Sequence, residues 1–255
     1  MTLARDDEVK AERSPIVLLS DFGYGEYVGV MKGVIYGIDR GAVVVDLCHE
    51  VAPQNVLEGA WILQNAYRYF PEGSVFCGVV DPGVGTERRA LAVRTARYYF
   101  VSPDNGLLDE TLRSELVVEV RALATPEGAS RTFHGRDVFA SAAARIGRGQ
   151  FEFLGRVVEG WQKLPIHQKG RAGTVVRVDR FGNVVTNLEP EEKAKYVVVA
   201  GGHYWEMPFR ATYTAAREGE LFLIEGSCGT LEISLKNGSA NARLELRSGM
   251  TISIV

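Results

Sequence analysis

Four short stretches of this 255-residue chain set ionisable or amide side chains beside glycine-bearing turns. The first, Ser20-Asp21-Phe22-Gly23-Tyr24-Gly25-Glu26, follows an apolar run (IVLLS, 16–20) and precedes an amphipathic one. In an open α/β sheet, ligands bind outside the carboxyl edge of the strands. A carboxylate there can accept two hydrogen bonds from a ribose diol, although Asp21 reads equally well as a helix cap. The glycines do not form GxGxxG, and no Walker A sequence occurs, so a phosphate cradle is not supported.

The second stretch, Val80-Asp81-Pro82-Gly83-Val84-Gly85-Thr86-Glu87-Arg88-Arg89, ends another apolar strand. Pro82 and the glycines fix a tight turn that displays Asp81, and Arg88 is near enough to fold back on it. Turn chemistry alone also accounts for Asp-Pro-Gly. The third, Phe133-His134-Gly135-Arg136-Asp137, opens a helix. An imidazole titrates near pH 6.5, the range useful for handling protons, yet a lone histidine is more often structural. His49 follows a strand, and His167 and His203 fall in linker or turn. In the fourth, Val178 to Asn187, Phe181 could stack on a purine and Asn183 read its edge. The same letters make a hairpin turn.

The elements that must position these groups change character midway. Apolar β-branched runs recur at 16–20, 42–47, 74–80, 91–93, 98–102 and 116–120, with helical patterns over Glu26–Ile38 and Asn55–Tyr69 and from Asp137. Continuous apolar strands alternating with helices predict an α/β domain with a central, mainly parallel sheet. From Gly173 onward short strand-like segments dominate: TVVRVD, NVVTNL, KYVVVA, ATYTAA, LFLIEG, TLEISL, ARLELR and MTISIV. Separated by turn residues, they predict an all-β barrel domain. The expected division is a disordered leader over 1–14, an α/β domain over 15–160, a linker over 161–172 containing Pro165, and the barrel over 173–255.

Composition narrows the partners. Twenty-nine basic residues against 32 acidic give a net charge of −3 with mixed signs, no footprint for nucleic acid or an anionic membrane. No apolar run reaches the roughly 20 residues of a membrane span, and the polar N-terminus lacks a signal-peptide core. A cytoplasmic protein is expected. Cys48, Cys77 and Cys228, odd in number and in apolar contexts, read as buried free thiols.

Taken in order, seven segments resemble the SAM hydroxide adenosyltransferases, relatives of the fluorinase and chlorinase. They are SDFGYGEYVGVMKGVI (20–35), DLCHEVAPQNVLEGA (46–60), VVDPGVGTERRALAV (79–93), SPDNGLL (102–108), FHGRDVFA (133–140), VDRFGNVVTN (178–187) and GSCGTLEIS (226–234). The resemblance implies hydrolysis of S-adenosyl-L-methionine (SAM) to adenosine and methionine. It also implies a homotrimer holding SAM between one subunit's N-terminal domain and its neighbour's C-terminal domain. Carried over, Asp21 would bind the ribose hydroxyls. Phe181, Asn183 and backbone near Ala240 would hold adenine, and Asp179, Ser227 and Glu26 would face the methionine. Asp81, Arg88 and His134 would form the water-activating triad, with either Asp81 or His134 accepting the proton. The sulfonium already makes methionine a good leaving group, so no general acid is needed at sulfur; no metal cluster or further cofactor is implied.

The nearest rival is a halogenase. In fluorinase-type relatives Tyr and Thr match Asp81 and Val84, Ser matches Gly135, and Trp matches Gln54. An anionic Asp81 would repel a halide in a dry pocket. A non-catalytic SAM or adenosine sensor would not need Asp81, Arg88 and His134 together. An oligonucleotide-binding barrel would need a basic, aromatic-studded strand. A methyltransferase would carry a glycine-rich loop after its first strand, and SDFGYGE is not that loop, although Asp46 ends the second strand.

Overall fold

The computed structural model describes residues 13–164, 166 and 168–255. The leader expected over 1–14 therefore falls almost wholly outside the described residues, as do Pro165 and His167. Arg13 and Ser14 are described and tied down: Arg13 pairs with Asp39, and the Ser14 hydroxyl donates to the Glu72 carbonyl.

In the N-terminal half the order is β1 (Ile16–Ser20), α1 (Glu26–Ile38), β2 (Val44–Cys48), α2 (Val56–Ala66), β3 (Val75–Val79), β4 (Ala90–Thr95) and β5 (Tyr99–Pro103). Then come α3 (Asp109–Arg113), β6 (Val117–Leu123), α4 (Ser141–Gly147) and β7 (Arg156–Val158). All five residues of β1 are buried because successive side chains enter two different helix layers. Ile16 and Leu18 pack with Met31 and Ile35 of α1 and with Ala143 of α4. Val17 and Leu19 pack with Leu63 of α2 and with Phe76 and Phe100.

The seven strands lie in the order β2-β1-β3-β5-β4-β6-β7. The expected mainly parallel sheet is corrected here to a mixed one. β1 runs parallel to β2 and β3, and β3 to β5, whereas β4 is antiparallel to β5 and β6, and β6 to β7. The physical reason is the connection between β4 and β5. Only residues 96–98 separate them, closed by Thr95 N–H donating to Tyr98 O at 2.9 Å. A parallel pair needs a crossover of about a dozen residues or more.

The second half contains β8 (Ala172–Val178), β9 (Val184–Thr186), β10 (Lys195–Ala200), β11 (His203–Pro208), β12 (Leu221–Glu225), β13 (Leu231–Leu235), α5 (Ala240–Leu244) and β14 (Thr251–Ile254). Its sheet, β11-β10-β14-β8-β9-β13-β12, is antiparallel throughout. The two edges meet where Phe209 bridges Leu223 and Arg210 N–H donates to Leu223 O at 2.8 Å, which nearly closes a barrel.

Two expected strands are not strands. ATYTAA contains a 3-10 turn at Tyr213–Ala215, and ARLELR begins inside α5. There Ser239 caps the helix by accepting from Ala242 N–H at 3.0 Å, and the alternating letters that follow imitate a strand. His203 opens β11 and is exposed. Of the cysteines only Cys77 is buried; Cys48 is half-buried and Cys228 exposed. Among the described residues, no helix is long and apolar enough to cross a membrane.

Candidate active site

Asp81, Arg88 and His134 converge on one point although the last lies in a different segment of chain. Asp81 lies two residues beyond β3, after the buried Val80, so the core strand sets its position. The turn after it is closed by Val84 N–H to Asp81 O and Thr86 N–H to Gly83 O, both at 3.2 Å. Gly85 holds φ at +77°, and a Cβ there would stand 2.4 Å from Arg131 O. Only glycine lets this turn close against the segment leading to His134.

Arg88 folds back from the start of β4 as its spacing suggests. Its Nε donates to Asp81 Oδ1 at 2.9 Å and its Nη2 to Oδ2 at 2.5 Å, a bidentate fork. Nη2 also reaches His134 Nδ1 at 2.8 Å, and the guanidinium carbon sits 5.3 Å from the Phe139 ring centre. The Arg88 and Asp81 side chains are only 10% and 6% exposed, so this pair is largely shielded from solvent. Burial first, and the Arg88 charge second, hold the His134 imidazole below its ordinary pKa, against the opposing pull of Asp81. His134 leads into a π-helical turn, Gly135–Ala140, that continues as α4.

Asp21, at the end of β1, faces the same cavity of about 360 Å³ as Asp81 and His134. Phe22, Tyr27 and Phe133 supply an aromatic wall, with centroid separations of 5.1–5.8 Å. The Asp21 carboxylate accepts from Gln54 N–H at 2.7 Å and does not cap α1, whose cap residue is Gly25. Glu26 sits exposed on the first turn of α1 and lines neither this cavity nor the next.

A second cavity, about 720 Å³, opens on the β-rich half and is lined by Asp179, Phe181, Asn183 and Ser227. The Asp179 carboxylate shapes its own turn: it accepts from Phe181 N–H, Asn183 N–H and Asn183 Nδ2 at 2.8, 2.9 and 3.0 Å. Gly182, at φ +82°, lies so close that a Cβ would meet Ser239 Oγ at 2.0 Å. Ala240 is wholly buried, backbone included, and does not line this cavity; Gly182 O accepts from the neighbouring Asn241 N–H. Phe181 leaves 73% of its surface open. Within one chain, then, the predicted residues that line a cavity divide between two separate ones, and Glu26 and Ala240 line neither.

Sequence reasoning named Gln54 only for the Trp that matches it in fluorinase-type relatives and missed that its backbone N–H meets Asp21, because a main-chain donor leaves no residue-type signal. It also missed Tyr213, which lines the second cavity and donates to Glu232 at 2.6 Å; the strand expected over 211–216 had hidden it. Among the described residues, no group of three or more His, Cys, Asp or Glu side chains is arranged to hold a metal ion.

Comparison with known proteins matches two family models to the chain. Residues 16–155 match the SAM hydroxide adenosyltransferase N-terminal domain, and residues 173–253 the C-terminal domain. The (R)-S-adenosyl-L-methionine hydrolase of Thermus thermophilus is 40% identical over 94% of this chain and 99% of its own length. A fluorinase from Actinopolyspora mzabensis, matching 95% of this chain and 97% of its own, is 26% identical. A crystal structure of an uncharacterized conserved protein from Thermotoga maritima superposes with a TM-score of 0.87 at 34% identity, covering 94% of this chain and all of that one. The chain belongs to the SAM hydroxide adenosyltransferase family.

Proposed function

We propose that this protein hydrolyses S-adenosyl-L-methionine to adenosine and L-methionine, by in-line attack of water on the ribose C5′. The observation that carries the reading is that Asp81 and His134, joined through Arg88 behind them, face one cavity together with Asp21. The sulfonium departs as a neutral thioether, so the protein's task is to place a water and remove its proton.

The geometry favours Asp81 as the proton acceptor. Arginine only donates, so His134 Nδ1 must accept from Arg88, and the neutral ring carries its proton on Nε2. A second proton on that ring would face the Arg88 cation. His134 then serves as a donor that orients the water, and Arg88 holds the Asp81 carboxylate in place. Asp81 retains lone pairs beyond its bonds to Arg88, and one of these takes the proton as the C–O bond forms and the C–S bond breaks.

Asp21 would hold the ribose diol, and Phe181, Asn183 and backbone near Ala240 the adenine. Asp179 and Ser227 would take the amino acid end of the methionine; the exposed position of Glu26 gives it the weakest support. The separation of the two cavities and the open face of Phe181 support a homotrimer in which a neighbour's second cavity covers the first. A cytoplasmic enzyme that needs no cofactor completes the proposal.

Relatives are named for the (R) epimer at sulfur. Incubation with the separated sulfonium epimers, following adenosine and methionine by chromatography, tests the reading. Equimolar release of both products, faster from the (R) epimer, is expected. Intact SAM, or a methylated acceptor, would contradict it.

A further inference from the structure

Among the described residues other than glycine, only Gln54, Asn237 and Glu245 adopt left-handed backbone. Asparagine accepts that region readily, and Glu245 merely ends α5. Gln54, at φ +63°, is different because its N–H is the group that meets the Asp21 carboxylate. Such a conformation persists only where its surroundings enforce it.

Glu58 does so here. Its Oε2 accepts from Ala52 N–H at 3.2 Å and from Asn55 Nδ2 at 3.3 Å, while Asn55 Oδ1 accepts from Glu58 N–H at 3.1 Å. Asn55 N–H also donates to Ala52 O, closing the turn that contains Gln54. The Glu58 side chain is only 5% exposed, and across the domain boundary Arg177 Nε of β8 lies 3.6 Å from its Oε1. A capping pair alone needs neither the bond to Ala52 nor a buried counter-charge from the other domain.

We infer that Glu58 is a positioning residue: its carboxylate clamps the 52–55 turn so that Gln54 N–H fixes Asp21 for the ribose diol, and Arg177 balances the buried charge. This rests on the reading of Asp21 as the ribose ligand. The Asp21 rotamer is thereby tied to β8, the strand that leads into Asp179, two residues beyond Arg177.

The test is calorimetric titration of the full-length protein with adenosine and with 2′,3′-dideoxyadenosine, alongside thermal melts. The parent should prefer adenosine by about tenfold or more, the worth of a hydrogen bond to a charged group. Asp21→Ala should abolish the preference. Glu58→Ala should reduce it several-fold in folded protein, and Glu58→Gln, which keeps an oxygen for Ala52 N–H, should restore most of it. Glu58→Asp keeps the charge but draws it back by one methylene; it should also lose preference and serves if the alanine variant does not fold. A folded Glu58→Ala or Glu58→Asp variant with a lower melting temperature and the parent's preference would leave only a capping role and overturn the inference. If Asp21→Ala itself keeps the preference, the ribose reading fails and the inference falls with it.

Discussion

The Arg88 guanidinium donates to His134 Nδ1 at 2.8 Å while gripping both oxygens of Asp81. That bond fixes the neutral tautomer, and it gives the pH dependence a sign. Burial and the Arg88 charge depress the His134 pKa, so the folded protein keeps the ring neutral below the ordinary value of 6.5. The unfolded chain takes up this proton first as pH falls. His134 therefore contributes stability that is fully present above 6.5 and declines as pH falls to the folded pKa. An NMR titration of the ring should place its midpoint below 6.5, moving only part of the way back in Arg88→Ala, because burial is the larger cause. A midpoint above 6.5 would contradict the assigned environment.

Asp81→Asn removes the proposed proton acceptor and keeps the side chain's shape. Turnover should fall by about 10²–10⁴-fold, the usual contribution of a positioned base, with KM for SAM changed little. Steady-state kinetics distinguish this from a binding role, in which KM would carry the loss.

Arg88→Ala should be the costliest change to stability in the cluster. It strands a carboxylate that is 6% exposed, and removing one partner of a buried ion pair costs about 3–5 kcal/mol. Chemical denaturation measures this directly, and Asp81→Asn/Arg88→Ala should recover part of the loss because the unpaired charge is then gone. No recovery would mean that Arg88 acts mainly through Phe139 packing.

The two separate cavities give a complementation experiment. Asp81→Asn alters one cavity and Asn183→Ala the other. If a neighbour completes each site, mixed assemblies of these two variants contain some sites free of both lesions. Co-refolding should return activity well above the sum of the separate variants. Strictly additive residual activity would show that each chain builds its own site.

Gly85→Ala tests how the triad's two segments are brought together. The left-handed backbone alone costs about 1–2 kcal/mol for a residue with a Cβ, and the 2.4 Å approach to Arg131 O adds a clash with main chain. A lower melting temperature together with reduced turnover is expected. Parent-like behaviour would mean that the turn is not what sets Asp81 against His134.

Much of this arrangement was legible in the letters, for identifiable reasons. α1 and α2 stood out because their apolar periodicity is helical, with Asn55 as a genuine cap at the start of α2. β1 and β3 read as buried strands because both of their faces are covered. The reversal of β4 against β5 was missed because the turn at 96–98 carries no glycine or proline. α5 was missed because alternation in ARLELR counterfeits a strand. Asp81, Arg88 and His134 could be named from motif order, but their shared contact is a tertiary fact set by Gly85 and the π-helical turn. Gln54 was named only for the Trp that matches it in fluorinase-type relatives; its own contribution, a backbone N–H held by a left-handed φ, leaves no trace in the letters.

Water, and not halide or a methyl acceptor, is the partner of SAM in the proposed reaction. Incubation in oxygen-18 water, with and without chloride, followed by mass spectrometry tests it most directly. The expected result is adenosine labelled at its 5′ oxygen and unlabelled methionine, at a rate indifferent to chloride. Formation of 5′-chloro-5′-deoxyadenosine, or release of adenosine without label, would contradict it.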